Sequence, residues 1–525
     1  MVSTKANSIS QSPGARPGVS LVVNPVVDLY EGGYNHPVYE AKARVLNHAI
    51  QDIGMGRYQW CLFVVAGFGW FADVAWPILS SLILTPVVSE FHFKGPFLLL
   101  ASNIGLFVGA VFWSLGCDIW GRRWPFNITL FVPGIFGLAA GASPSFVALA
   151  SLFAVVSFGS AGTLPVDSAI FLDFVPASHQ YLLTTLSTWW SVGQLIPSLV
   201  AWPLITNYSC ATASDCTKSS NMGWRYLLFI LGGITLLLGA FRIFSFSLLE
   251  SPRFLSGVGR DADAVRVIHQ MAKFNGKVSS LTVEELEAPD RAVEGGHSSY
   301  MEKHTILSKN SHYNAEHIKA LFATPKMAWS TSILIAIWGI LGLASTLYNN
   351  FLPYLLFSRG AVFGDGSLYI TYRNQVILSI VCVPAGFLAS WAVELPYIGR
   401  KGTKILSNAD HPQNTALTGA LLLATTTART SNNLLAWNCG YVFFNNTLYG
   451  VLTSMSVEVF PAKDRGTGIG LLIMATRLFG ILGPVIALYA NLATTVPVYI
   501  AGALIIFAGG LALLLPYEPR GKASI

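Results

Sequence analysis

Apolar residues in this chain fall into long runs separated by short polar turns. Twelve runs can be read, near residues 58–88, 96–116, 124–142, 145–171, 182–206, 223–248, 327–356, 368–393, 412–428, 433–457, 466–492 and 494–515. A membrane-crossing helix needs about 20 apolar residues, because lipid offers no partner to exposed backbone groups. The ninth run, short and rich in Thr and Ala, is the weakest. The pattern predicts an all-α membrane protein with twelve transmembrane helices in two groups of six. It divides the chain into an N-terminal tail (1–56), a first six-helix bundle (57–249), a central loop with short helices (250–326), a second six-helix bundle (327–516) and a C-terminal tail (517–525).

Outside these runs two shorter periodic stretches stand out. Residues 38–53 place Leu46, Ala49, Ile50 and Ile53 on one helical face, and the expectation is a helix resting at the membrane interface. Residues 261–274 place Val265, Ile268 and Met271 on one face, as expected of a helix packed beneath the bundles. Residues 275–312 are polar and expected to be flexible. No charged segment followed by a short apolar stretch opens the chain, so no cleavable signal peptide is expected.

Composition narrows the class. The chain has 525 residues, of which 53% are hydrophobic and 11% charged. Soluble domains carry about 25% charged residues, so a soluble enzyme, a disordered chain and a secreted disulfide scaffold are poor fits. The net charge of +6 contains no block of one sign, so nucleic acid is not expected as a partner.

An even number of spans puts both termini on one side. Loops and tail on that side hold Arg122, Arg123, Arg400, Lys401, Lys404, Lys463, Arg465, Arg520 and Lys522. Opposite loops hold Lys94, Lys218, Arg359 and Arg429, with Arg225 and Arg373 borderline. The excess of basic residues predicts cytoplasmic termini, and the plasma membrane is the expected location. Cys210 and Cys216 share a loop on the opposite, oxidising side, where a disulfide is allowed.

The two halves repeat. Asp118-Ile119-Trp120-Gly121-Arg122-Arg123 follows the second run, and Glu394 through Gly399-Arg400-Lys401 follows the eighth. Asp173-Phe174-Val175-Pro176 closes the fourth run, and Glu458-Val459-Phe460-Pro461 the tenth. Glu250-Ser251-Pro252-Arg253 follows the sixth, and Glu518-Pro519-Arg520 the twelfth. Such a duplication predicts two bundles around a central cavity. These motifs resemble those of the major facilitator superfamily. Glu250-Ser251-Pro252-Arg253 and Glu458-Val459-Phe460-Pro461…Arg465-Gly466 are similar to the sugar-porter clan. Leu164-Pro165-Val166-Asp167…Asp173-Phe174-Val175-Pro176 is similar to its synaptic-vesicle-glycoprotein-like branch, which has fungal members. The resemblance implies the major facilitator fold and rocking of the bundles about a midplane site. Helix 7 lacks the glutamine-rich signature of sugar porters.

Charges inside spans are the sharpest clues, since an Asp at a helix centre costs about 2.5–3.5 kcal/mol on insertion scales. Asp73 in the first run and Asp167 in the fourth are the candidates for proton coupling, because a cavity-facing carboxyl can load and release a proton as its exposure alternates. Arg477 in the eleventh run could bind an anionic solute or pair with a carboxylate across the bundles. Arg242 in the sixth is expected to snorkel toward the cytoplasmic surface. Candidate solute contacts are Trp190, Gln194, Tyr348, Asn349, Asn350, Asn445, Asn446 and Arg477. Asp118, Gly121, Arg122, Arg123, Glu250, Arg253, Arg400, Glu458 and Arg465 read as a cytoplasmic gate.

Neither a nucleophile–base pair nor a phosphate loop is visible, so catalysis and ATP drive are not expected. No cofactor and no metal site are expected. The main reading is a monomeric secondary transporter for a small organic solute (a sugar-like compound, an organic acid or a metabolite), coupled to protons. The alternatives are a transporter-shaped receptor or scaffold, and a proton-antiport exporter.

Overall fold

The computed structural model describes residues 37–179, 181–210, 216–244, 246–294, 318–319, 321–364, 367–394, 411–460, 465–489 and 494–515. The described secondary structure is helical throughout. The first half holds α1 (Pro37–Ile53), α2 (Arg57–Leu82), α3 (Leu84–Phe91), α4 (Pro96–Trp120), α5 (Arg123–Gly141), α6 (Phe146–Ser160), α7 (Thr163–Phe174), α8 (Leu182–Leu186), α9 (Thr188–Tyr208) and α10 (Gly223–Phe244). Between the halves lie α11 (Pro252–Gly257), α12 (Asp261–Phe274) and α13 (Val283–Glu294). The second half holds α14 (Pro325–Tyr348), α15 (Leu352–Phe363), α16 (Leu368–Glu394), α17 (His411–Ala424), α18 (Ser431–Val459), α19 (Arg465–Tyr489) and α20 (Val496–Ala512).

Among the described residues, twelve rods result in the two halves when the broken helices are joined: α2 with α3, α6 with α7, α8 with α9, and α14 with α15. Among the described residues, seven segments are long and apolar enough alone to cross a membrane: Arg57–Leu82, Pro96–Ser114, Arg123–Gly141, Phe146–Phe174, Gly223–Phe244, Pro325–Gly360 and Thr467–Tyr489. The remaining rods are shorter or more polar. Helix α9 carries Pro197 and Pro203, and α18 carries Asn438, Asn445 and Asn446. The outward faces are apolar, with Phe244 85%, Leu237 71% and Val147 71% exposed. In a soluble protein such a belt would be a liability; here it is the surface that lipid covers.

Local chemistry sets the helix ends and breaks. Ser145, Thr324 and Thr430 cap α6, α14 and α18 by accepting from Ala148, Met327 and Asn433 N–H. Pro86 lies in the first turn of α3 and has no N–H for the carbonyl of Leu82 four residues earlier. The first rod therefore breaks at Ile83. Pro165 likewise breaks the fourth rod at Ala161–Gly162. In the seventh rod a 3₁₀ turn, Asn349–Phe351, separates α14 from α15 next to Pro353.

The halves meet along two seams, α4 against α19 and α9 against α16, and α2 also touches the 3₁₀ turn and α15. In the second seam Ser191 donates to the carbonyl of Cys382 (3.0 Å) and Ser379 to Ser198 (3.0 Å).

The amphipathic N-terminal helix differs from expectation. The apolar face of α1 is buried against α11, α12 and α13, not laid on the membrane interface. Leu46, Ala49, Ile50 and Ile53 join the hydrophobic core there, and the buried Lys42 ammonium ties α1 to the same platform by pairing with Asp261 and Asp290, each at 2.6 Å. Burial pushes this ammonium down, but the two carboxylates outweigh burial and leave it above its ordinary value. Val265, Ile268 and Met271 of α12 are buried in this platform. Within the stretch expected to be flexible, residues 283–294 form a helix; 295–312 lie outside the described residues.

Candidate functional site

Asp73 sits near the middle of α2 and Arg477 near the middle of α19, one in each half. Arg477 Nη2 donates to Asp73 Oδ1 at 2.6 Å, and both side chains are largely buried. Among the described residues this is the one ion pair joining the two bundles. Tyr449 of α18 lies close by; its hydroxyl bonds Ser345 (2.7 Å) and donates to the Leu341 carbonyl (3.2 Å), both on α14. One helical turn before Asp73, the Trp70 ring packs on Trp190 of α9, with centroids 4.8 Å apart and planes 34° apart.

Asp167 occupies a different place. It pairs with Arg242 at 2.7 Å, and neither side chain has any exposed surface. Arg242 also donates to the carbonyls of Phe126 and Val65 and lies over the Phe126 ring, 3.7 Å from its centroid. One guanidinium thus binds α2, α5 and α7 together. This corrects two expectations. Arg242 does not snorkel, because its partners are all interior. Asp167 does not face the inter-bundle space, because Arg242 holds it in a seam of the first bundle. Gly69, one turn before Asp73, provides the room: a Cβ there would overlap the Asp167 carboxylate.

The expected solute contacts separate into two groups. Trp190 and Gln194 lie where α9 approaches the second half, and the Cys382 thiol is 3.4 Å from Gln194 Oε1. Tyr348 instead turns into the second bundle. Its hydroxyl donates to Asn438 Oδ1 at 2.7 Å, and it lines a small cavity with Leu352, Arg359 and Thr425. Asn349 accepts from Tyr441 at 3.1 Å. Asn350, Asn445 and Asn446 are half-buried.

The gate residues form a network at the terminal side of the first bundle. Gly121 ends α4 at φ +88°, a conformation that suits glycine, and a Cβ would meet Glu250 Oε2 at 2.8 Å. The absence of a side chain lets Glu250 accept from the backbone N–H of Arg122 (2.9 Å), Arg123 (3.4 Å) and Ser251 (3.1 Å). Asp173 is the second hub. It accepts from Arg122 and Ser251 and sits 3.6 Å from Arg253. Arg253 also reaches Asn47 of α1 at 2.6 Å. Arg123 enters through its backbone rather than an ion pair. Arg400 lies outside the described residues, as do the side chains of Asp118, Glu458 and Arg465. Cys210 and Cys216 are joined by a disulfide with Cα atoms 5.4 Å apart.

Sequence reasoning missed Trp70, which its position three residues before Asp73 could have flagged. It also missed Glu90, just beyond the first span. Glu90 accepts from both terminal guanidinium nitrogens of Arg225 (2.7 and 2.9 Å) plus Trp224 Nε1 (3.0 Å) and Asn221 Nδ2 (2.9 Å). Burial pushes the Glu90 carboxyl up, but these partners outweigh it and hold the group below the usual carboxylate range.

The family model for sugar (and other) transporters matches residues 96–517. The chain is 63% identical to a protein of Ceriporiopsis subvermispora named MFS siderochrome iron transporter 1, over 95% of this chain and 94% of that one. It is 48% identical to an uncharacterised MFS-type transporter of Schizosaccharomyces pombe, over 95% and 92%. The fold is similar to the solved proton:xylose symporter XylE, with a TM-score of 0.64 at 16% identity, covering 89% of this chain and 98% of that one; XylE is from E. coli.

Proposed function

This chain belongs to the sugar (and other) transporter family of the major facilitator superfamily, and from that premise we propose that it carries a small organic solute by alternating access, driven by a proton gradient. It is a multi-pass integral membrane protein and a secondary transporter, not an enzyme.

The Asp73–Arg477 pair carries the coupling part of this reading. Alternating access requires the two halves to rock against each other, and this pair ties α2 of one half to α19 of the other. Removing one partner from a buried pair costs about 3–5 kcal/mol, because the remaining charge is left uncompensated. A proton delivered to Asp73 removes the charge that holds Arg477 across the halves, and a solute group facing Arg477 then balances the guanidinium. One charge moved through 100 mV contributes about 2.3 kcal/mol, the scale needed to bias such a step. Asp167 enters this reading as a structural partner of Arg242, since its seam is closed to the inter-bundle space.

In this reading Trp190, Gln194, Asn445 and Asn446 offer solute contacts. Arg122, Asp173, Glu250 and Arg253 form a latch at the terminal side, with Gly121 admitting Glu250. The charge bias supports cytoplasmic termini and a Cys210–Cys216 loop on the outside, and the reading takes the plasma membrane as the location and the monomer as the working unit. The siderochrome iron named for the Ceriporiopsis relative is one candidate cargo.

The test is reconstitution of the full chain in proteoliposomes. Labelled glucose, an organic acid, choline and an iron-loaded siderochrome are offered with and without an inward proton gradient. Accumulation of one of them above empty liposomes, abolished when the gradient is collapsed, is expected. Binding without translocation of any of them would support a receptor instead.

A further inference from the structure

Among the described residues, Nε of Arg477 and Nε1 of both Trp70 and Trp190 are buried N–H groups without an acceptor. Buried donors without partners are rare and costly. Nε of Arg225, Arg242 and Arg253 and Nε1 of Trp76 are likewise without an acceptor among the described residues. What sets the first group apart is that Arg477 pairs across the bundles and Trp70 lies three residues from that arginine's partner, Asp73, where a ligand's acceptor oxygens would meet these donors. The Trp70–Trp190 pair adds a flat apolar wall one turn from Asp73.

The charges of the pair set a second condition. A guanidinium cannot lose its proton in a protein, whereas a carboxylate can gain one. A cationic solute that took Asp73 would leave Arg477 charged and stranded. A neutral solute would leave the pair closed. An anion that takes Arg477 leaves only Asp73 uncompensated, and one proton removes that charge. Of the three classes, an anion is the one whose binding this pair can balance.

We infer that the solute taken at the seam is an organic acid in its anionic form, bound by Arg477 in exchange for Asp73, with one proton held on Asp73 for each anion bound. The inference rests on the transport reading for its location, and it goes further by naming the solute class and the exchange. In the exchange the Asp73–Arg477 hydrogen bond is broken, a solution proton joins the Asp73 carboxylate, and the anion's oxygens take the guanidinium. The sum of solute and proton is neutral for a monoanion. The charged and titratable groups facing Asp73 are Arg477 from α19, Tyr449 from α18 near that arginine, and, behind Gly69, the closed Asp167–Arg242 pair.

The experiment is calorimetric titration of the purified full chain with benzoate, in two buffers of different ionisation enthalpy and over a range of pH. The expected result is uptake of about one proton per benzoate, with affinity falling about tenfold per pH unit once Asp73 is ionised. Asp73→Asn should still bind benzoate, now without proton uptake and without pH dependence; a merely structural Asp73 would lose binding altogether. Arg477→Gln should abolish binding while its thermal unfolding stays cooperative, and Arg477→Lys should restore part of it. Benzoate bound without proton uptake, no binding of benzoate, or an unchanged pH profile in Asp73→Asn would overturn the inference. Preferred binding of glucose or choline would also overturn it, yet leave transport standing. Benzoate binding with proton uptake but no movement in proteoliposomes would sink the transport reading and leave the anion assignment.

Discussion

Tyr372 of the second half donates its phenolic hydrogen to the carbonyl of Leu82 in the first half. That carbonyl is open because Pro86, four residues on, has no N–H to give it. A break in one helix thus becomes a contact between bundles, at the end of the seam away from the termini. The Tyr372 side chain is buried. Tyr372→Phe should leave a buried carbonyl unpaired, at a cost of about 1–3 kcal/mol, and raise accessibility from that end. Cysteine-labelling rates on α3 and α16 measure this. Replacing Pro86 by Ala restores an N–H for Leu82, so Tyr372→Phe should then cost less than in the wild-type background.

The Asp167–Arg242 pair yields a prediction about stability. Asp167→Asn or Arg242→Met alone should each destabilise by about 3–5 kcal/mol, and the double change Asp167→Leu with Arg242→Met should recover much of the loss. Thermal unfolding monitored by intrinsic fluorescence gives the three values. Proton-driven uptake should persist in the double variant, since the pair is sealed from the seam. Loss of proton dependence there, with stability recovered, would return Asp167 to the coupling machinery.

Gly69 is the packing condition for that pair. Gly69→Ala pushes a methyl group into the Asp167 carboxylate, an overpacking worth about 1–3 kcal/mol. Gly510→Ala, which would meet nothing within 4 Å, is the matched control and should unfold at the wild-type temperature.

Glu90 predicts a pH dependence. Its folded carboxyl is held below the usual range, so its stabilising contribution is present above the ordinary carboxylate value and is lost as pH falls through the folded value. Melting temperature should therefore drop between about pH 6 and pH 3, and Glu90→Gln should flatten that acid limb. An unchanged limb would place the acid sensitivity elsewhere.

Much of this architecture can be read from the chain, because the physics of lipid leaves helices few alternatives. The apolar runs locate the rods, and the repeated Asp118…Arg123 and Glu250…Arg253 motifs mark their ends on the side of the termini. Asp73 and Arg477 stand out simply as charges where charges are costly. Partner choice is harder to read. Nothing in the local sequence of α10 says that Arg242 faces inward, since its three acceptors come from α2, α5 and α7. Read as part of one continuous helix, Tyr348 is expected at the cavity; the 3₁₀ turn at Asn349–Phe351 ends that helix, and Tyr348 turns to Asn438 inside its own bundle. The apolar face of α1 is legible, but its cover is not. Lys42 finds Asp261 more than 200 positions away, and residue periodicity holds no information at that range.

The central claim is that Asp73 couples proton movement to rocking of the two halves. Proteoliposomes containing Asp73→Asn test it most directly when one solute is followed in two assays, gradient-driven accumulation and exchange at equal pH. The account predicts that exchange continues while accumulation falls to the level of empty liposomes. Accumulation equal to wild type in the Asn variant would contradict it.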